Sequence, residues 1–273
     1  GNVCFSGDVI LRSSAPTNPA IVAATVIDGG GNGPAVTFGG TETTNCLLSG
    51  FTIRNGYAGS GGGIQGSGTL ARITWCVITN NVATNNGGGI ADCDCLISHN
   101  IIGWNAATNK GGGLYGCDGQ VRNNLIVQNV AGEHGGGLGL CNGTIENDTI
   151  VGNSVVLGGI ENGGGGIWSA TGQVRNCIVW TNQAEFKPQI SNALDVTYSC
   201  VQTGHVGVGN ISLNPLFIGS GDYSLDVDSP SIDAGSYQSW MGSAVDLRGA
   251  RRISYSGVDM GAYESGFDIV ATQ

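Results

Sequence analysis

The chain has 273 residues and a formal net charge of -10, and it is 40% hydrophobic but only 11% charged, with 50 glycines. An average soluble protein is about 25% charged, so this composition describes an ordered, turn-rich, strand-forming chain and excludes simple disorder. Ten Lys and Arg scattered along the sequence form no basic patch, which argues against a nucleic-acid partner, and no apolar run reaches the roughly 18 residues of a membrane span.

Residues 1–60 contain the strand-like pieces Val9–Leu11, Thr25–Ile27, Ala35–Phe38 and Cys46–Arg54, separated by Gly, Pro and Asn clusters, which predict two irregular opening turns. No amphipathic capping helix is visible before Ser6. Cys4 and Cys46 are a candidate disulfide between these turns, which an oxidising compartment would allow. The first residues lack the basic and apolar regions of a signal peptide, so an exported form would have lost its leader.

Residues 61–182 carry a repeat. Glycine triplets followed by Ile or Leu occur at Gly61–Ile64, Gly87–Ile90, Gly111–Leu114 and Gly135–Leu138, with a longer version at Gly163–Ile167, at spacings of 26, 24, 24 and about 28. A second pattern keeps the same beat: Ile73, Ile78, Asn81; Ile97, Ile102, Asn105; Val121, Ile126, Asn129; Ile145, Ile150, Asn153; and, after a five-residue insertion, Val174, Val179, Asn182. A 24-residue unit of short β-branched strands, an Asn turn and a Gly turn is too short for a propeller blade and lacks the Leu-rich horseshoe consensus. The predicted fold is therefore all-β: a right-handed parallel β-helix of about 24 residues per turn, one continuous solenoid.

In such a solenoid equivalent residues stack about 4.8 Å apart and form ladders. Asn81, Asn105, Asn129, Asn153 and Asn182 predict an asparagine ladder at a bend, where left-handed backbone is tolerated. Cys93, Cys117 and Cys141, continued by Ser67 and Ser169, predict a ladder of small side chains facing a narrow interior. Stacked cysteines are close enough for disulfides, but parallel side chains disfavour pairing, so buried thiols are the simpler reading. Nine cysteines leave at least one unpaired in any case.

Beyond Gln183 the periodicity fades, and residues 183–273 read as later irregular turns or a C-terminal cap. Asp222, Asp226, Asp228, Asp233, Asp246 and Asp259 fall here without EF-hand or nonapeptide spacing, so solvated turns are favoured over a Ca2+ site. Cys93 and Cys95 have no zinc-finger partners, and no metal site is expected.

The segments ATVIDGGGNGPAVTF (24–38), LLSGFTIRNG (47–56), CIVWTN (177–182), NPLF (214–217), SPSIDAG (229–235) and VDMGAYE (258–264), with the GGGI turns, resemble extracellular bacterial right-handed parallel β-helix repeat proteins with a choice-of-anchor Q type C-terminal region. The likeness covers nearly the whole chain. It implies export or cell-surface location and says little about activity, since the family consists largely of surface proteins without an assigned reaction, while the pectate-lyase-like fold also hosts enzymes. Such proteins usually have a longer N-terminal lead-in, which leaves processing or truncation open.

Two groups of residues offer chemistry. Arg122, Glu146 and Arg175 occupy one register on successive turns and read as an alternating charge ladder on an outer sheet, the alternative being a catalytic Arg with an acid. Lys110 and His134 each precede a glycine triplet, with Glu133 and Glu161 beside them and Asn86 and Asn162 in the neighbouring turns. That edge is the best active-site or cation-site candidate, set against ordinary solvated turns. His99 and His205 read as surface or turn residues, and the sequons at Asn142, Asn147 and Asn210 are too short to imply glycans.

Three functions follow. The first is a non-catalytic extracellular or cell-surface structural protein that self-associates head to tail through its β-helix ends into filaments. The second is a polysaccharide lyase or glycoside hydrolase centred on Lys110, Glu133 and His134. The third is an adhesin holding extracellular polysaccharide on Trp104 and Trp180. The balance of residues leans away from catalysis.

Overall fold

The computed structural model describes residues 2–157, 163–254 and 257–266. The chain winds into a parallel β-solenoid of about seven coils. Three eight-stranded parallel sheets and a five-stranded one run along it, each joining strands that recur once per coil, and the final sheet is a two-stranded antiparallel hairpin.

Strands of two to four residues dominate, and in a three-residue strand the middle side chain points inward while its neighbours point out. One inward row of the first sheet runs Val36, Ile64, Ile90, Leu114, Leu138, Ile167, Ile190. The second sheet aligns Leu48, Ile73, Ile97, Val121, Ile145, Val174, Val196. The third aligns Ile27, Ile53, Ile78, Ile102, Ile126, Ile150, Val179, Val201. These rows form one continuous core, and each fully buried Ile contributes roughly 1.5–3 kcal/mol.

The asparagine ladder lies inside this core. The Asn105 backbone N–H and Nδ2 both donate to Asn129 Oδ1, at 3.1 and 3.0 Å, while Nδ2 also donates to the Ile78 carbonyl at 2.9 Å. The motif repeats from Asn81 to Asn182, and Gln189 Oε1 closes it by accepting from Asn182 Nδ2 at 2.9 Å. The left-handed residues are the ones just before the ladder: Asn80, Trp104, Gln128 and Thr181, with φ of 53 to 57°. Each turns the corner, so that the next side chain points inward.

Glycine triplets and ladder share a register because they touch. Gly111 has φ +64°; a Cβ on Gly112 would lie 2.5 Å from the Gly136 carbonyl oxygen, and one on Gly113 would lie 2.6 Å from that of Gly137 and 3.1 Å from Asn129 Nδ2. Larger residues would push the coils apart at that corner.

The cysteine ladder is also internal, with Cys93, Cys117 and Cys141 buried and all nine cysteines free. Ser67 and Ser169 do not extend it. A register shift pairs Cys93 with Thr69, and Leu138 aligns with Ile167, which brings Ala170 opposite Cys141. Both serines instead occupy left-handed corners. Cys4 is exposed while the Cys46 thiol donates to the Val9 carbonyl at 3.2 Å, so no bridge joins them.

The first coil contains a short helix, Pro19–Ala24, started by Pro19 and by Asn18, whose side chain accepts from the Ala20 N–H at 3.0 Å. At the other end, Ile190–Ser191, Asp195–Thr197 and Cys200–Val201 complete one more coil. The segment that follows crosses the last coil's edge, with the Val201 N–H donating to Ile211 O and Tyr198 N–H to Val208 O. It then turns back to cover the outside of the third sheet. There Leu125, Val127, Val151 and Ile178 meet Phe217, Tyr223, Leu225, Leu247 and Met260. From Leu125 onward this sheet is covered on both faces, hence its continuous apolar strands Leu125–Val127 and Ile178–Trp180, while the earlier strands Thr52–Arg54 and Val77–Thr79 keep polar or half-exposed outer residues.

Candidate functional site

Lys110 and His134 are brought together as the spacing predicts, joined by a parallel bridge on successive coils. Both are engaged by a residue that the motif did not include. Trp168, outward on the first sheet one coil later, stacks on His134 with ring centroids 4.3 Å apart and planes 7° apart. Lys110 Nζ lies 5.1 Å from the same indole's centroid, a cation–π contact worth about 0.5–1 kcal/mol. His134 Nδ1 accepts from the Gly163 N–H at 3.4 Å. Glu133 takes part in none of the ion pairs among the described residues; Glu161 and Asn162 lie outside them.

The charge row keeps its register but is not a free outer face. Arg122 pairs across the sheet with Glu146, and Glu146 with Arg175. The Arg175 guanidinium bonds directly to the Glu146 carboxylate, which is almost fully buried. Arg122 leans the other way, its guanidinium 4.3 Å from the Trp240 ring centroid of the C-terminal segment. Burial lowers its pKa, against the pull of Glu146.

Beside this row runs a second polar ladder. The Asn100 backbone N–H and Nδ2 donate to Asn124 Oδ1, and the corresponding Asn124 groups donate to Asp148 Oδ1 at 2.7 and 3.0 Å. Asn100 and Asn124 also donate to the Ile73 and Ile97 carbonyls, whereas Asp148 Oδ2 is buried with no partner. Burial pushes the Asp148 carboxyl up to about 8, in spite of the Asn124 donors, so at neutral pH it is largely protonated. Its 24-residue spacing from Asn124 was available in the sequence.

The corner row next to these ladders docks the C-terminal segment. His99 Nε2 meets the Val245 carbonyl at 2.9 Å, Asn147 Nδ2 donates to Asp259 O at 3.2 Å, and Asn176 Nδ2 to Ser236 O at 2.8 Å. Burial lowers the His99 pKa, favouring a neutral ring that donates from Nε2. His99 is thus a docking residue, not an ordinary surface histidine, and buried Asn147 is no glycan acceptor in this fold.

Two tail aspartates expected in solvated turns are buried. Asp246 accepts from the backbone N–H groups of Arg248, Ala250 and Glu264, and Asp259 from those of Asp233 and Ser265. Fully buried Arg252 donates to Asp259 O at 2.5 Å and lies 3.5 Å from Glu264, whose carboxyl burial pushes up to about 8 against the pull of Arg252. No group of three or more His, Cys, Asp or Glu is placed to hold a metal among the described residues.

Trp104 is exposed, as an adhesin platform requires, but Trp180 packs into the junction with the C-terminal segment. A cleft of about 280 Å³ opens between the first-coil helix, the Trp75–His99 corner and the C-terminal segment. No described strand of the repeat supplies a carboxylate to it.

Comparison with family models, with curated proteins and with solved structures finds no match. The class defined by fold and site is a parallel β-solenoid with a C-terminal segment docked along one outer face.

Proposed function

We propose that this chain is a non-catalytic structural protein of the cell exterior, of the β-helix repeat type with a choice-of-anchor Q type C-terminal region, and that it associates through the ends of its solenoid. The observation carrying this reading is the last coil and the segment that crosses its edge, where Leu194 on the coil and Val206, Val208 and Leu213 on the segment are 91, 93, 67 and 63% exposed. Clustered exposed apolar residues mark association surfaces. Val9 and Ile10 on the first coil are 50 and 64% exposed, so both ends offer apolar contact. A contact between unlike ends propagates as a filament unless it closes.

The engagement of Lys110 and His134 by Trp168, and of Glu146 by Arg175, supports a non-catalytic role, because these side chains serve the fold's own packing. Sedimentation of the full chain over a wide concentration range tests the proposal, with oligomers or filaments expected. Leu194→Asp, at a position whose side chain is solvent-exposed, should reduce association without lowering Tm. A monomer at every concentration, with no filaments in electron micrographs, would sink the assembly claim. Unsaturated or reducing ends released from acidic polysaccharides, and lost in Lys110→Ala, would replace the reading with a lyase or hydrolase.

A further inference from the structure

We infer that the cleft at the Trp75–His99 corner is a binding site for a single saccharide ring. It is built by three parts of the chain distant in sequence. The floor is Trp75 stacked on His99, with centroids 4.4 Å apart and planes 17° apart. One wall is the helix and the loop before it, with Thr17 and Val22, and the other is the C-terminal segment, with Arg248 and Tyr263. Its volume of about 280 Å³ lies just below the range of roughly 300–1,000 Å³ for sites of drug-sized ligands, which suits one ring.

The distribution of chemistry selects the class. Trp75, Val22 and the neighbouring prolines Pro16 and Pro19 are apolar lining residues, while Thr17, Arg248 and Tyr263, which carry polar groups, line the same space. A pyranose has this division, with C–H groups on its faces and hydroxyls around its edge. A flat hydrocarbon would offer the polar wall groups no partner in exchange for the water it displaces from them. Arg248 uses one terminal nitrogen on Asp222, at 2.7 Å, and a guanidinium has five N–H donors. Donors therefore remain for hydroxyls or a ring carboxylate.

The left-handed backbone adds a separate observation. Trp75 and His99 have φ of 56 and 57°, in the corner row whose next three members are Asn123, Asn147 and Asn176. Asparagine tolerates this conformation better than tryptophan does. Trp75 thus stands in the less favoured conformation on the coil that lines the cleft, as Tyr198 does further along the same row.

Ligand-observed saturation-transfer NMR on the full chain, with neutral hexopyranoses, hexuronic acids and their short oligomers at millimolar concentration, tests the site. Saturation is expected on ring protons of at least one sugar. Trp75→Ala should weaken that sugar by about tenfold or more, the equivalent of 1.4 kcal/mol. Thr17→Trp, at an exposed rim position, should block the cleft with Tm unchanged, and decides the matter if Trp75→Ala does not fold. Trp104→Ala, at the exposed tryptophan elsewhere, should leave binding unchanged. The proposal is overturned if no sugar binds, if binding survives Thr17→Trp, or if benzoate or indole binds in preference to every sugar. None of these outcomes alters the sedimentation result that tests self-association.

Discussion

The inside of the solenoid and the outside of its third sheet are built from the same coils but obey different rules. Inside, each position repeats its chemistry: Ile stacks on Ile, and Asn bonds to the Asn one coil later. Outside, the same register carries Trp75, His99, Asn123, Asn147 and Asn176 down one corner row. The interior has only its own next coil as partner, so translation by one coil must preserve the contact. The outer face meets an aperiodic segment, and each coil there answers a different neighbour.

The largest test of the interior rule is Asn129→Ala. It leaves the Asn105 N–H and Nδ2 without their acceptor and the Ile102 carbonyl without its donor. Buried polar groups without partners cost about 1–3 kcal/mol each, so a loss of at least about 3 kcal/mol is expected in denaturant titration. A loss below about 1 kcal/mol would mean that ladder bonds are readily replaced.

Leu125→Asp should act on the outer face alone. Placing a carboxylate under Phe217 and Leu247 is expected to weaken docking by about 2–4 kcal/mol. Limited proteolysis should then cut within residues 217–266 while the far-UV spectrum of the coils persists. Simultaneous loss of both would show that the two regions form one cooperative unit.

Asp148→Asn sharpens the comparison by restoring the interior rule where the two regions meet. The Asp148 pKa is raised to about 8 in the fold and is about 3.9 in an unfolded chain. The native state therefore holds more protons between those values. Its contribution to stability is full below about pH 4 and declines as pH rises to about 8. An asparagine amide could donate to the Val121 carbonyl as Asn100 and Asn124 do to Ile73 and Ile97. Asp148→Asn should stabilise the protein by about 1–3 kcal/mol at pH 8 and flatten the pH profile of Tm, although Glu264 keeps part of the slope. An unchanged profile would show that Asp148 is already ionised at neutral pH.

The smallest effect belongs to Arg122→Ala, which removes the contact with Trp240. A loss of about 0.5–1 kcal/mol is expected, with a shift in tryptophan emission. A loss above about 3 kcal/mol would mean that Glu146 depends on Arg122 as well as on Arg175.

The interior was legible in the sequence because a solenoid copies its contacts along the chain. Ile73, Ile78 and Asn81 recur in register, and the strands, the inward rows and the asparagine ladder follow from that recurrence. Two spacing errors came from breaks in the copy. The register shift at Thr69 displaced Ser67 from the cysteine row, and the longer glycine run at Gly163–Gly166 displaced Ser169. At the candidate site, the adjacency of Lys110 to His134 followed from the same spacing. Their engagement by Trp168 did not, because it depends on which way an outward side chain leans.

The sequence by itself determined the coil, its period and the ladders, since each of these is a contact between a residue and its own equivalent one turn away. Only the tertiary structure decided that the tail returns to cover the third sheet, burying Arg252, Asp246 and Asp259, and that Trp75, His99, the helix and Tyr263 enclose one cleft. Those groupings bring together segments 241 residues apart, from Val22 to Tyr263, with no shared period, and side-chain packing between unlike partners leaves no spacing in the chain from which to read it.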